Sequence, residues 1–158
     1  MSKPQFPILK IDQFRHDLET ESVYANELPT HLKQHHFIHT PHKHDFYLAV
    51  LFTKGKGVHE IDFVSYEVKP GSVFLMKPGQ THNWILSKDI DGYVFFHSKD
   101  FYDLHFNSPK VDELPFFSSF QTTPFLQIKK KKQKAIEVLF ELVLEEYKTK
   151  KNLWEQKI

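Results

Sequence analysis

The chain has 158 residues, enough for one domain with an appendage, and 40% of them are hydrophobic, enough for a real core. A formal net charge of +1 argues against nucleic-acid binding by bulk charge, and the absence of cysteine excludes a disulfide scaffold, a Cys-based zinc site and a thiol nucleophile. The start MSKPQFPILKIDQF lacks an apolar h-region and no apolar run reaches membrane-spanning length, so a cytoplasmic protein without a membrane partner is expected.

Strands are predicted near 5–11, 34–39, 45–53, 57–63, 66–69, 72–77, 82–87 and 92–97. All five glycines fall between residues 55 and 92, where Lys54-Gly55-Lys56-Gly57, Lys69-Pro70-Gly71 and Lys77-Pro78-Gly79 read as tight turns. Such even spacing points to an all-β sandwich or barrel. Sixteen phenylalanines predict an aromatic interior. Residues 99–106 suit a short helix. Residues 107–124, with three prolines, read as a connection, and 125–128 as one more short strand.

The tail differs in charge and in period. Residues 1–128 carry a net charge of −3 and residues 129–158 a net charge of +4. From about Lys131, Ile136, Leu139, Phe140, Val143 and Tyr147 follow helical spacing, and Ala135, Val138, Leu142 and Leu144 widen the apolar stripe. A stripe that wide predicts burial on two sides, one against the chain's own body and one against a partner, with a homodimer as the simplest solution. The lysines of Lys129–Lys132 oppose the helix dipole, so the helix is expected to begin after them. Asn152 suits the cap of a second helix, LWEQKI, which stops after six residues and reads as a chain cut short.

The chemistry concentrates in histidines. His42 and His44 stand two apart, so on a strand both imidazoles face one side, and His82 opens a later strand after Pro78-Gly79-Gln80-Thr81. Three converging imidazoles could hold Zn²⁺, Fe²⁺, Mn²⁺ or Ni²⁺, or instead hydrogen-bond an organic ligand. By the same alternation Phe46, Leu48, Val50 and Phe52 follow His44 inward, and Trp84 and Leu86 follow His82. An apolar, aromatic lining with few polar groups suits a small-molecule pocket, and aromatic rings beside polar groups suit a sugar. Tyr93, Phe95 and His97 are candidates for the same lining. Asp45 and Glu60 are the candidate bases for any catalysis, although alternation turns Asp45 away from the histidines.

Residues 39–84, with His-x-His-Asp-Phe-Tyr, a Gly-x-Gly hairpin, Pro-Gly-Ser and Pro-Gly-x-x-His in order, resemble the N-terminal cupin domain of AraC-type transcription regulators. The resemblance runs on through VFFHSKDFYDLHF into the tail helix. It implies a mainly β, cupin-like double-stranded β-helix, or jelly-roll barrel, over residues 1–128. A C-terminal helix or helical hairpin over 129–158 would serve dimerisation. It implies a non-catalytic sensor that binds a small effector through His42, His44, Phe46, Leu48, His82, Trp84, Tyr93 and Phe95. Dimerisation falls to Ile136, Leu139, Phe140, Val143 and Tyr147. DNA binding would belong to a separate helix-turn-helix domain outside these residues. Metal-binding cupins place a Glu four or five residues after the second His and an Asn after the last; here those positions are Leu48, Ala49 and Leu86. The missing carboxylate leaves a facial triad for oxygen chemistry incomplete, which argues against catalysis and leaves His42, His44 and His82 as candidate effector contacts. No cofactor is expected, with a divalent transition metal on His42, His44 and His82 the one candidate. The alternative is a metal-dependent cupin enzyme, an isomerase or oxygenase, using the same three residues.

Overall fold

The computed structural model of the protein describes residues 5–14, 22–118 and 123–149. Ten strands form two five-stranded sheets among these residues. The first sheet sets β1 (Ile8–Leu9), β3 (His42–His44), β8 (Thr81–Leu86), β5 (Gly57–Ile61) and β6 (Val64–Val68) side by side. The second sets β10 (Phe125–Gln127), β7 (Ser72–Met76), β4 (Tyr47–Lys54), β9 (Asp91–His97) and β2 (Val23–Glu27) side by side. The chain alternates between sheets from β3 to β4 to β5 and again from β7 to β8 to β9, which is the jelly-roll connectivity of the expected barrel.

Burial explains the strand sequences. The first sheet turns His42, His44, His59 and His82 inward together with Ile61, Val68 and Trp84, and Val58 and Ile85, which face each other across β5 and β8, are exposed on its outer face. The second sheet is covered on both faces, so β4 runs as the unbroken apolar segment Tyr47–Phe52 rather than alternating. Gly92 sits where β9 passes closest to β4; a Cβ there would stand 1.9 Å from the Leu51 carbonyl oxygen, so no side chain fits. The interior is aromatic as expected: Phe14, Phe46, Phe52, Phe74 and Phe96 are its largest fully buried side chains.

The N-terminal third departs from expectation. Residues 34–39 are not a strand. They hold the end of α1 (Leu28–Gln34) and a single 3-10 turn at His36–His39, which packs Ile38 into the core. Pro29 in the first helical turn presets the backbone for α1, and β2 precedes it, where no element was expected. The strand expected over 5–11 is only β1, followed by a 3-10 turn at Ile11–Phe14 that delivers Phe14 to the core. Asp45 and Phe46 carry the chain from one sheet to the other, so the expected strand 45–53 starts at Tyr47.

Beyond the barrel, α2 (Lys99–His105) forms where a short helix was expected, with the Ser98 hydroxyl accepting from the Phe101 N–H at 3.0 Å. The connection 107–124 contains a 3-10 turn at Val111–Glu113 and the one-turn α3 (Pro115–Ser118). The tail helix α4 (Lys130–Thr149) begins inside the lysine run, not after it, because those lysines are exposed and solvated. It lies on the second sheet against β2, β4 and β9. Phe140 meets Tyr93, Tyr147 meets Tyr24 and Leu144 is buried, with Ile136 and Val143 half-buried. Leu139 and Leu142 remain 58% and 52% exposed, so one side of the wide stripe is buried within the chain and the other faces solvent. No helix among the described residues is long and apolar enough to cross a membrane. The expected second helix after Asn152 lies outside the described residues.

Candidate functional site

Pairing of β3 with β8 sets His42 opposite His82, and pairing of β8 with β5 sets His82 opposite Ile61 and Trp84 opposite His59. Alternation then turns His42, His44, His59 and His82 into the barrel, where each is at most 4% exposed. The Nε2 atoms of His42 and His44 are 3.1 Å apart, and those of His44 and His82 are 3.4 Å apart. Two ligand nitrogens on one four- or six-coordinate divalent ion stand about 3.0 to 3.4 Å apart. Two of the three pairs therefore stand at the spacing of ligands on one transition metal, and the three residues form one group of potential ligands whose donor nitrogens all lie within 4.8 Å of one another.

The outer nitrogens reinforce this. His42 Nδ1 donates to the Thr40 carbonyl at 2.6 Å, which leaves its Nε2 as a lone pair. His82 Nδ1 lies 2.8 Å from His59 Nε2. The His82 tautomer that presents a lone pair at Nε2 carries its proton on Nδ1 and donates to His59. The four rings are kept neutral. Burial is the main cause of a downward shift in each, and for His44, His59 and His82, held well below the usual imidazole range, neighbouring imidazoles add to it. Phe46 stacks on His44 at 4.5 Å, and Trp84 stands edge-on to His82 at 5.3 Å.

A second polar network adjoins the first. The Tyr24 hydroxyl, on β2, is 2.8 Å from His31 Nδ1 and 3.4 Å from His35 Nε2, and accepts from Asn26 Nδ2 at 3.0 Å. Burial pushes His31 down to about 3 and raises Tyr24, so a neutral imidazole faces a neutral phenol.

The structure thus brings His42, His44, Phe46, His82 and Trp84 together, and places Leu48 in the same core. Tyr93 and Phe95 are corrected: they point out of the barrel. On β9 the inward residues are Gly92, Val94 and Phe96, while Tyr93 meets Phe140 of α4 and Phe95 packs beside Val23 and Phe101. His97 shares that outer parity and stacks on Tyr47 at 5.2 Å. Neither candidate base reaches the histidines: Asp45 is exposed, and Glu60 lies on the opposite parity from His59 and Ile61. His59, His31 and Tyr24 are the contributors that sequence reasoning missed. Alternation along β5, with exposed Val58 and buried Ile61, was the available signal for His59.

Two clefts border this interior. One of about 270 Å³ is lined by Lys10, Ile11, Asp12, Asp45, Phe46 and Ser98. The other, of about 250 Å³, lies between α1 and the β8–β9 turn and includes Trp84.

The profile of the family described as AraC-like ligand binding domain matches residues 26–107. No curated protein sequence matches the chain. Among solved structures, apo ToxT K231A from Vibrio cholerae aligns at 14% identity over 75% of this chain and 46% of its own length, with a TM-score of 0.44. A cupin protein from Bacteroides fragilis aligns at 15% identity over 78% of this chain and 95% of its own, with a TM-score of 0.37. KdgF from a Halomonas species aligns at 15% identity over 52% of this chain and 76% of its own, also at 0.37.

Proposed function

Because the chain belongs to the family of AraC-like ligand binding domains, we propose that it is the effector-sensing and dimerisation part of an AraC-type transcription regulator. A small molecule binds at the barrel, beside His42, His44, Phe46, His82 and Trp84, and DNA is bound by a separate domain of the intact regulator. The reading is carried by one observation, the two faces of β9. Phe96 faces inward, 4.7 Å from Phe46 and 5.9 Å from His44. Tyr93 on the same strand faces outward onto Phe140 and donates to Glu141 at 3.4 Å. A ligand that shifts the inner rings therefore acts on α4 through a single strand. It moves the helix only as far as its affinities for the two arrangements differ.

The exposed stripe of α4, with Val138, Leu139 and Leu142, is the proposed dimer face. Ile136, Phe140, Val143 and Tyr147 support it from behind by fixing the helix on the sheet. Sedimentation tests this. The chain is expected to be a dimer, and Leu139→Asp is expected to give a folded monomer, since Leu139 is 58% exposed and contributes little to the barrel. A wild-type monomer, or an unchanged dimer in the variant, would count against the reading.

The Nε2 spacings of His42 with His44 and of His44 with His82 favour a second component. His42, His44 and His82 would hold a divalent transition metal, which supplies a Lewis-acid centre for binding an oxygen ligand. A metal-dependent isomerase or oxygenase built on the same trio is the alternative reading, and the exposed Asp45 and outward Glu60 leave it without a placed proton acceptor. Turnover of a carbonyl or sugar substrate that is lost with the metal would establish it.

A further inference from the structure

The cleft between α1 and the β8–β9 turn has an apolar floor, with Leu32, Trp84 and Leu86, and a cationic rim, with Lys33 on α1 and Lys88 in the turn. None of the residues lining it is a carboxylate.

Both walls are set in place by the fold. The Ser87 N–H donates to the Lys56 carbonyl at 2.8 Å, and the Ser87 hydroxyl accepts from the Lys56 N–H at 2.9 Å. These bonds pin the β8–β9 turn to the β4–β5 hairpin. Gly55 lies in that hairpin at φ +85°, where a Cβ would stand 2.7 Å from the Ile90 Cα, so only glycine allows the close seat. The opposite wall, α1, is anchored by fully buried Leu28 and by His31 on the Tyr24 hydroxyl.

Asp89, next to Lys88, is taken up by Ser87 and lies in the field of Lys54 and Lys56. Glu27, just before α1, pairs with Lys148 at 3.8 Å. Among the described residues neither Lys33 nor Lys88 has a carboxylate at ion-pair distance.

Two free ammonium groups over an apolar floor are complementary to a molecule of opposite design, an anionic head on a compact apolar body. We infer that this cleft binds a small carboxylic acid, its carboxylate held by Lys33 and Lys88 and its hydrocarbon or aromatic body on Trp84 and Leu86. Trp84 also stands edge-on to His82 at 5.3 Å, so the occupant sits one side chain from the histidine cluster. The inference goes beyond the sensor reading, since the charge pattern of the cleft does not depend on dimerisation or DNA.

The test uses the ¹⁵N-labelled chain and the indole N–H resonance of Trp84, assigned by comparison with Trp154→Phe. The probe is 3-phenylpropionate, and its neutral counterpart is 3-phenylpropan-1-ol. A saturable shift with the acid is expected, at least tenfold weaker with the alcohol and at least tenfold weaker in a Lys33→Gln/Lys88→Gln variant of unchanged melting temperature. No saturable shift with the acid up to about 10 mM overturns the inference. So does equal binding of acid and alcohol, or binding unaffected by the lysine changes. A chain that binds the acid in this way yet sediments as a monomer keeps this inference and loses the dimer reading.

Discussion

Two groups of histidines share one interior and differ in what their nitrogens meet. His31 and His35, on and just after α1, are served by a hydroxyl: Tyr24 stands within 3.4 Å of both. His42, His44 and His82, on strands, turn their Nε2 atoms toward one another, and His59 backs His82 from the next strand. All six are buried. The first group pairs unlike partners, a phenol and an imidazole, and so finds hydrogen-bond partners within the chain itself. The second crowds lone pairs that only a proton or a cation can reconcile. Burial and residue type are the same in both, so the chemistry is carried by the partners.

That contrast can be broken most forcefully at the ligands. With the trio intact, Ni²⁺ or Zn²⁺ is expected to bind at one equivalent by calorimetry, and His44→Ala or His82→Ala is expected to weaken it by more than about 100-fold. Equal weakening by His31→Ala would mean that the two groups are not distinct. A smaller effect is expected one shell out. His59→Phe removes the acceptor that sets the His82 tautomer and is expected to weaken the metal by about 10- to 100-fold, with the barrel still folded by circular dichroism. Unchanged affinity would reduce His59 to a packing residue.

The helix-side group should answer in stability instead. Tyr24→Phe strands a buried nitrogen of His31 and is expected to cost about 1–3 kcal/mol in urea unfolding, with metal affinity unaltered. Acid sharpens the same point. His31 sits at about 3 in the fold against an ordinary 6.5, so the unfolded chain takes up its proton first. Its contribution is present above pH 6.5 and is lost as pH falls from there toward about 3. The slope is at most about 1.4 kcal/mol per pH unit. His31→Phe is expected to flatten the fall in urea midpoint between about pH 7 and about pH 5. A slope identical to the wild type would show that His31 is not held neutral.

Local signals in the sequence determined the turns, the histidine trio and the tail helix. Pro-Gly and Gly-x-Gly spell tight turns whatever surrounds them. The two-residue spacing of His42 and His44 puts both on one side of any strand, and the 3.6-residue period of Ile136, Phe140, Val143 and Tyr147 describes a helix face without reference to a partner. Only the tertiary structure decided which parity of Gly92–His97 faces the barrel, because Tyr93, Val94, Phe95 and Phe96 are apolar on both sides. Alternation marks a face only where one side meets water, and α4 removes the water from the outer side of β9. The same nonlocal packing made a strand and a helix of Val23–Gln34, where β2 is secured by pairing with β9 some seventy residues away in sequence. It also brought His59 to His82 by a register between β5 and β8 that no short stretch of sequence contains.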